Sequence, residues 1–193
     1  VTTVVYLHGF RSSPASIKAT RLRACVDALP SPPVLHVPHL HHRPSVAVRG
    51  VTEWVERNAG GDVAFVGSSL GGFYATHLAE RFGARAAMIN PAVRPYEALA
   101  TSLGVQTNLY TGEAFEVTRA HMDELRAMAV ARITRPERYF LLVETGDEVL
   151  DYREAVAFYG GAHQYVRGGG DHTFTEFEAQ IPAILRFCGV AVD

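Results

Sequence analysis

This sequence predicts an α/β fold of three layers, with a mainly parallel sheet of about six strands carrying helices on both faces. Two observations predict it. Short apolar runs suited to strands buried on both sides alternate with stretches of helical periodicity, and all but one of the connections between them are short. The 193 residues suffice for one substantial core, and no repeat, low-complexity tract or linker divides them, so residues 1–193 are expected to form a single domain.

The elements follow in order. Strands are expected near 3–8, 34–38, 62–67, 85–90, 138–144 and 163–167. Ser13 and Pro14 open a first helix whose Leu22, Cys25, Val26 and Leu29 recur at three- and four-residue spacing, and Pro30 stops it. Pro44 begins a second, with Ala47, Val51, Trp54 and Val55 on one face. A helix over about 175–188 points Phe177, Ile181, Ile184, Leu185 and Cys188 at the core, with Pro182 either kinking it or marking its start. The one long connection, at about 91–135, is expected to form a small helical cap. Thr118 to Val130 supplies its amphipathic helix through Met122, Leu125 and Ala129, around a Gly/Thr/Asn-containing middle from Gly104 to Gly112.

Chemistry enters at Gly67-Ser68-Ser69-Leu70-Gly71, a G-x-S-x-G pentapeptide between the apolar run Val63–Val66 and a helical pattern from Phe73. A strained strand-to-helix elbow brings two backbones together, so bulk is excluded two residues before and after the central serine. Ser69 is therefore the candidate nucleophile. Asp147 follows the run Tyr139–Val143, and His172 follows His163–Val166 and a glycine triplet. The order Ser, Asp, His, each past a strand, is that of the α/β-hydrolase arrangement, in which strand ends open on one edge of the sheet. In this reading His172 takes the serine proton and Asp147 orients the imidazole. The backbone N–H groups of Leu70 and of Phe10, in the His8-Gly9-Phe10 turn after the first strand, are the expected oxyanion donors. Glu144, Glu148 and Asp151 compete as the acid; Glu144 falls on the strand end and Asp151 suits a helix cap. His163 is the rival base, at the start of an apolar run, and His8 is expected to anchor its own loop.

Longer motifs carry a resemblance. Tyr6–Phe10 with Ser12-Ser13-Pro14 and Lys18-Ala19, Gly67–Ala75, Asn90–Pro95, Tyr110–Glu113, Thr145–Tyr152 and Gly169–His172 together resemble the YqiA-type small bacterial esterases of the α/β-hydrolase superfamily over nearly the whole length. That resemblance implies a serine esterase or thioesterase acting through Ser69, Asp147 and His172, and it implies no particular substrate.

Composition narrows the remaining classes. A net charge of -2 and the absence of a basic run exclude an electrostatic case for nucleic-acid binding. Of 18 basic residues only Lys18 is a lysine, a skew that reads as GC-rich codon usage and hence a bacterial source. Cys25 and Cys188 have no metal-ligand spacing and are expected to be small apolar side chains on helices. No apolar stretch reaches the length of a membrane span and no signal-peptide pattern opens the chain, so a cytoplasmic address is expected.

No organic cofactor and no metal is expected. His36, His39, His41 and His42 cluster after the second strand, but Pro38 and Pro44 make that stretch irregular and no carboxylate lies within it, so rim or solvated residues are expected there. In and beside the cap, Arg11, Arg94, Tyr96, Gln106, Asn108 and Tyr110 are candidates to reach a substrate; the competing reading is that they hold the cap together. The expected partner is a small-molecule ester or thioester, and the expected state is a monomer or homodimer. An acyltransferase using the same site, and a binding protein on a hydrolase scaffold, are the alternatives.

Overall fold

A computed structural model describes residues 2–192. Six strands, β1 (Thr3–Leu7), β2 (Val34–His36), β3 (Val63–Ser68), β4 (Arg85–Ile89), β7 (Tyr139–Glu144) and β8 (His163–Arg167), form one sheet in the order β2-β1-β3-β4-β7-β8. Every pairing in it is parallel. The strand positions match the sequence reading to within a residue or so. The exception is β2, which stops at His36 before Pro38.

Alternation along the strands assigns the layers. Val4, Tyr6, Val66, Ile89 and Leu142 face a core completed by α1 (Ile17–Asp27) and α7 (Phe177–Phe187). Val5, Leu7, Phe65, Met88 and Leu141 face the other, completed by α2 (Pro44–Asn58), α3 (Leu70–Phe82) and α6 (Tyr152–Phe158). The central strands are buried on both faces, as unbroken apolar runs require. α7 continues on both sides of Pro182. Ser16 caps α1 by accepting from Ala19 N–H, so the helix starts three residues later than Pro14 proposes. Both cysteines are free. At the sheet edge, Trp54 is only half-buried and stacks flat on His36, with centroids 3.7 Å apart and planes 2° from parallel.

The connection between β4 and β7 holds a hairpin besides the helices expected of a small helical cap. It holds α4 (Pro95–Ala98), a 3-10 turn (Leu99–Ser102), an antiparallel hairpin of β5 (Gly104–Thr107) and β6 (Ala114–Val117), and α5 (Arg119–Ala127). Asn108 builds the hairpin loop, its side-chain oxygen accepting from the N–H groups of Tyr110 and Thr111. Four-residue strands that are half exposed leave too weak an alternation to detect. α5 lies close to its expected span, with Met122 and Leu125 buried. It is tied to α2 by Glu124, which accepts from the Arg43 guanidinium and from Ser45 N–H.

Candidate functional site

The strand-to-helix turn at Ser69 is as tight as the pentapeptide requires. Ser69 sits at φ 55° and ψ -121°, a conformation that costs a non-glycine residue about 1–3 kcal/mol. A side chain at Gly67 would collide with the Gly71 carbonyl, and one at Gly71 with the carbonyls of Leu7 and His8. The serine backbone is pinned from both sides: its N–H donates to Ile89 C=O, and its C=O accepts from Gly72 and Ala92.

Beyond the same edge of the sheet, His172 reaches Ser69. Its Nε2 lies 3.1 Å from Ser69 Oγ, and its Nδ1 lies 2.8 and 3.0 Å from the two Asp147 oxygens. Since Asp147 accepts at Nδ1, that nitrogen carries the proton and Nε2 is left to accept from the serine hydroxyl. The Asp147 side chain is 2% exposed against 22% for His172. Burial works to raise the Asp147 pKa. Hydrogen bonds from His172 and from the N–H groups of Leu150 and Val149 outweigh it and hold the carboxyl below its ordinary value, so the group is ionised near neutral pH.

The competing acids have other tasks. Asp151 caps α6 by accepting from Arg153 N–H, and Glu148 accepts from the backbone N–H of His172. Glu144 is fully buried and receives Arg167, the Thr175 hydroxyl, and the N–H groups of Asp171, Thr175 and Glu176. Asn90 completes this support. Its amide N–H₂ donates to the carbonyls of Asp171 and His172, while its oxygen accepts from Glu144 N–H. In the sequence Glu144 stands only as a rival acid, and Asn90 only as part of the Asn90–Pro95 motif, with no role of its own. Its one available signal was an Asn-Pro pair closing a buried strand. His163 is exposed and packs edge-on to Phe187, far in role from a base.

Around Ser69 lies a cavity of about 660 Å³, bounded by the Gly9–Arg11 turn, α1, the hairpin loop and the His172 loop. A Cβ on Gly9 would come 3.4 Å from the Ser69 Cβ, which places the Gly9-Phe10 turn directly against the serine. Leu70 is the first residue of α3, so its N–H has no carbonyl four residues back. Both backbone donors expected from the sequence thus belong to segments adjoining Ser69.

The Uncharacterised protein family (UPF0227) matches residues 3–189 of the chain. The chain belongs to this family. Among solved structures, the UPF0227 chain is similar to mouse alpha/beta hydrolase domain-containing protein 10, at TM-score 0.75 and 17% identity over 97% of this chain and 89% of that one. It is similar to the esterase domain of a Rhodothermus marinus protein, at TM-score 0.69 and 15% identity over 97% and 88%. A monoacylglycerol lipase from Paleococcus ferrophilus gives TM-score 0.68 and 16% identity over 96% and 93%. The fold is that of the α/β hydrolases.

Within the UPF0227 chain the candidate substrate residues separate into two groups. Arg11 and Tyr110 line the cavity. Arg94 and Tyr96 are not among its lining residues: Arg94 is exposed and pairs with Glu154 and Glu97, and Tyr96 packs on the core under the Arg126 guanidinium. Gln106 and Asn108 donate to the carbonyls of Ser102 and Ser12 and so hold the hairpin in place. The histidine cluster does not converge. His36 stacks on Trp54, His41 accepts from Arg43 N–H, and His42 bonds His121 of α5 at 3.0 Å. Among the described residues no three His, Cys, Asp or Glu side chains are arranged to hold a metal ion. His8 anchors its loop as expected, donating from Nδ1 to Gly9 C=O and accepting Leu40 N–H at Nε2. Burial lowers its pKa to about 4.

Proposed function

We propose that this UPF0227 member is a serine hydrolase that cleaves carboxylic esters or acyl thioesters through an acyl-serine intermediate, as a single domain with the 91–135 insertion covering its site. The observation that carries the reading is the unbroken series from the strained Ser69 hydroxyl through His172 to the buried Asp147 carboxylate, spaced at 3.1 and 2.8 Å. Solved structures of the same fold named as a hydrolase, an esterase and a lipase are consistent with it.

In this mechanism Ser69 Oγ attacks the acyl carbon as its proton passes to His172 Nε2. Asp147 stabilises the imidazolium and keeps Nδ1–H directed away from the serine. The carbonyl oxygen becomes an oxyanion that accepts from the N–H groups of Phe10 and Leu70; losing one such donor typically costs about 100 to 1,000-fold in turnover. Collapse of the tetrahedral intermediate expels the alcohol or thiol, which leaves with the Nε2 proton. Water then repeats the sequence on the acyl-serine, giving its proton to Nε2, and the second collapse returns that proton to Ser69 and releases the acid.

Intact mass after incubation with a fluorophosphonate tests this reading. One adduct is expected on the wild type, none on Ser69→Ala, and strongly slowed labelling on His172→Ala. A folded wild type that forms no adduct overturns the mechanism.

A further inference from the structure

The cavity around Ser69 has an uneven charge. Arg11, Lys18 and Arg21 line it, against the single carboxylate of Glu178, in a protein whose 18 basic and 20 acidic residues nearly balance. Glu178 is engaged by Arg21, 3.6 Å away on the exposed side of the cavity. Arg11 spends its Nε on Thr107 C=O, and among the described residues it forms no ion pair. Lys18 is the chain's one lysine. It is partly buried, and among the described residues its ammonium has neither an ion pair nor a hydrogen bond.

A partly desolvated ammonium without a counter-ion is costly, and the costs are visible here. Burial lowers the Lys18 pKa, and the attraction of Asp171 and Glu144 only partly offsets it. Neither acid forms an ion pair with it. Glu144 is saturated by five donors, one from Arg167 and four from residues 171–176, and Asp171 holds the Thr173 N–H and hydroxyl on Oδ1. At the cavity mouth the character reverses. Ile17 and Leu109 are each 70% exposed, Val149 60% and Tyr110 46%, and all four line the same cavity. The cavity therefore presents cationic groups together with an uncovered apolar rim.

We propose that Lys18, with Arg11 and Arg21, forms an anion subsite in the Ser69 cavity, so that the preferred substrate is an ester or thioester with an apolar body and a carboxylate or similar anionic group. The proposal rests on the hydrolase reading for its reaction and on the cavity alone for its ligand. The anion belongs either to the acyl part or to the alcohol, and matched pairs of substrates separate the two sources.

The experiment compares kcat/KM for mono-4-nitrophenyl glutarate with that for its methyl ester, and for 4-butyryloxybenzoate with that for its methyl ester. In the wild type the anionic member of one pair is expected to be favoured by about tenfold or more, as charge-assisted hydrogen bonding to a partly desolvated cation permits. The favoured pair identifies the part of the substrate that bears the charge. That preference is expected to collapse in Lys18→Met, to survive in Lys18→Arg, and to weaken with added salt in the wild type. Equal rates within both wild-type pairs, or a preference that persists in Lys18→Met, overturn the proposal. A second readout needs no turnover. In Ser69→Ala, acetylation of Lys18 by acetic anhydride, followed by peptide mass, is expected to slow several-fold under saturating glutarate or 4-hydroxybenzoate; no protection by either overturns the subsite. Absence of a fluorophosphonate adduct and of all ester cleavage, with protection retained, sinks the hydrolase reading and leaves the subsite standing.

Discussion

Asn90 is held at φ 40° between the end of β4 and Pro91, a left-handed conformation that asparagine tolerates better than most side chains. Its amide joins three strand ends: it belongs to β4's exit, accepts from Glu144 at the end of β7, and donates to Asp171 and His172 beyond β8. Asn90→Ala leaves those groups unpaired in a site only 2% exposed. The expected cost is about 2 kcal/mol, or about 4 to 8 °C in Tm, with slowed fluorophosphonate labelling because the His172 loop loses its tether. Thermal melts and labelling rates on the same preparation check both. Asn90→Asp keeps the acceptor toward Glu144 but not the N–H donors, and labelling that remains wild-type in it would place the tether elsewhere. At this scale Ser69, Asp147 and His172 were legible because glycines and strand ends bracket them. Asn90 and Glu144 were not, because a buried polar residue announces its role only through partners distant in sequence.

The attachment of the β4–β7 connection to the sheet domain runs through ionisable side chains as well as an apolar seam. His121 Nδ1 accepts from Thr118 N–H, so its Nε2–H must donate to His42 Nδ1, and the pair is bonded in its neutral form. Burial lowers the pKa of both rings, with the neighbouring histidines and Arg43 adding to it. The unfolded segment takes up protons that the folded one refuses. The stability these rings contribute is therefore fully present above their ordinary pKa of about 6.5 and is lost as pH falls toward their lower folded values. Limited proteolysis within residues 91–135 is expected to accelerate between pH 7 and pH 5, and His42→Phe, which preserves the stacking on Phe115 without the titration, is expected to flatten that dependence. Cleavage at one rate across the range would remove His42 and His121 from the attachment of this connection. α5 was readable from its apolar stripe, but the hairpin before it was not. Val105 and Leu103, exposed to 75% and 44%, give that segment apolar residues without a buried face to reveal their period.

Across the whole molecule, a small set of carboxylates links stability to acid. Burial would raise Glu80, Glu124, Glu144 and Asp147, but their hydrogen bonds prevail: Thr134 and Tyr139 for Glu80, Arg43 and Ser45 for Glu124, Thr175 with Asp171 and Arg167 for Glu144, and His172 for Asp147. Glu124 is carried down to about 2. Each has a folded pKa below the unfolded one, so its contribution is complete above the ordinary carboxylate range near 4 and disappears as pH falls toward the folded values. Tm is expected to drop steeply below about pH 4.5, by about 2 to 4 °C for each kcal/mol removed in a chain of this length. A Tm unchanged from pH 6 to pH 3 would contradict that linkage. The layers themselves were plain in the sequence, since unbroken apolar runs such as Val63–Val66 suit only strands covered on both sides.

The stacked His36–Trp54 pair gives this molecule a built-in optical gauge. One indole, on one helix, rests against one ring of the outermost strand. Burial and Arg23 keep that imidazole neutral to lower pH than usual, and a protonated imidazole quenches indole emission where a neutral one does so far less. Tryptophan emission thus reports the state of a single sheet edge, and separation of β2 from α2 would be read as a change in its brightness and colour.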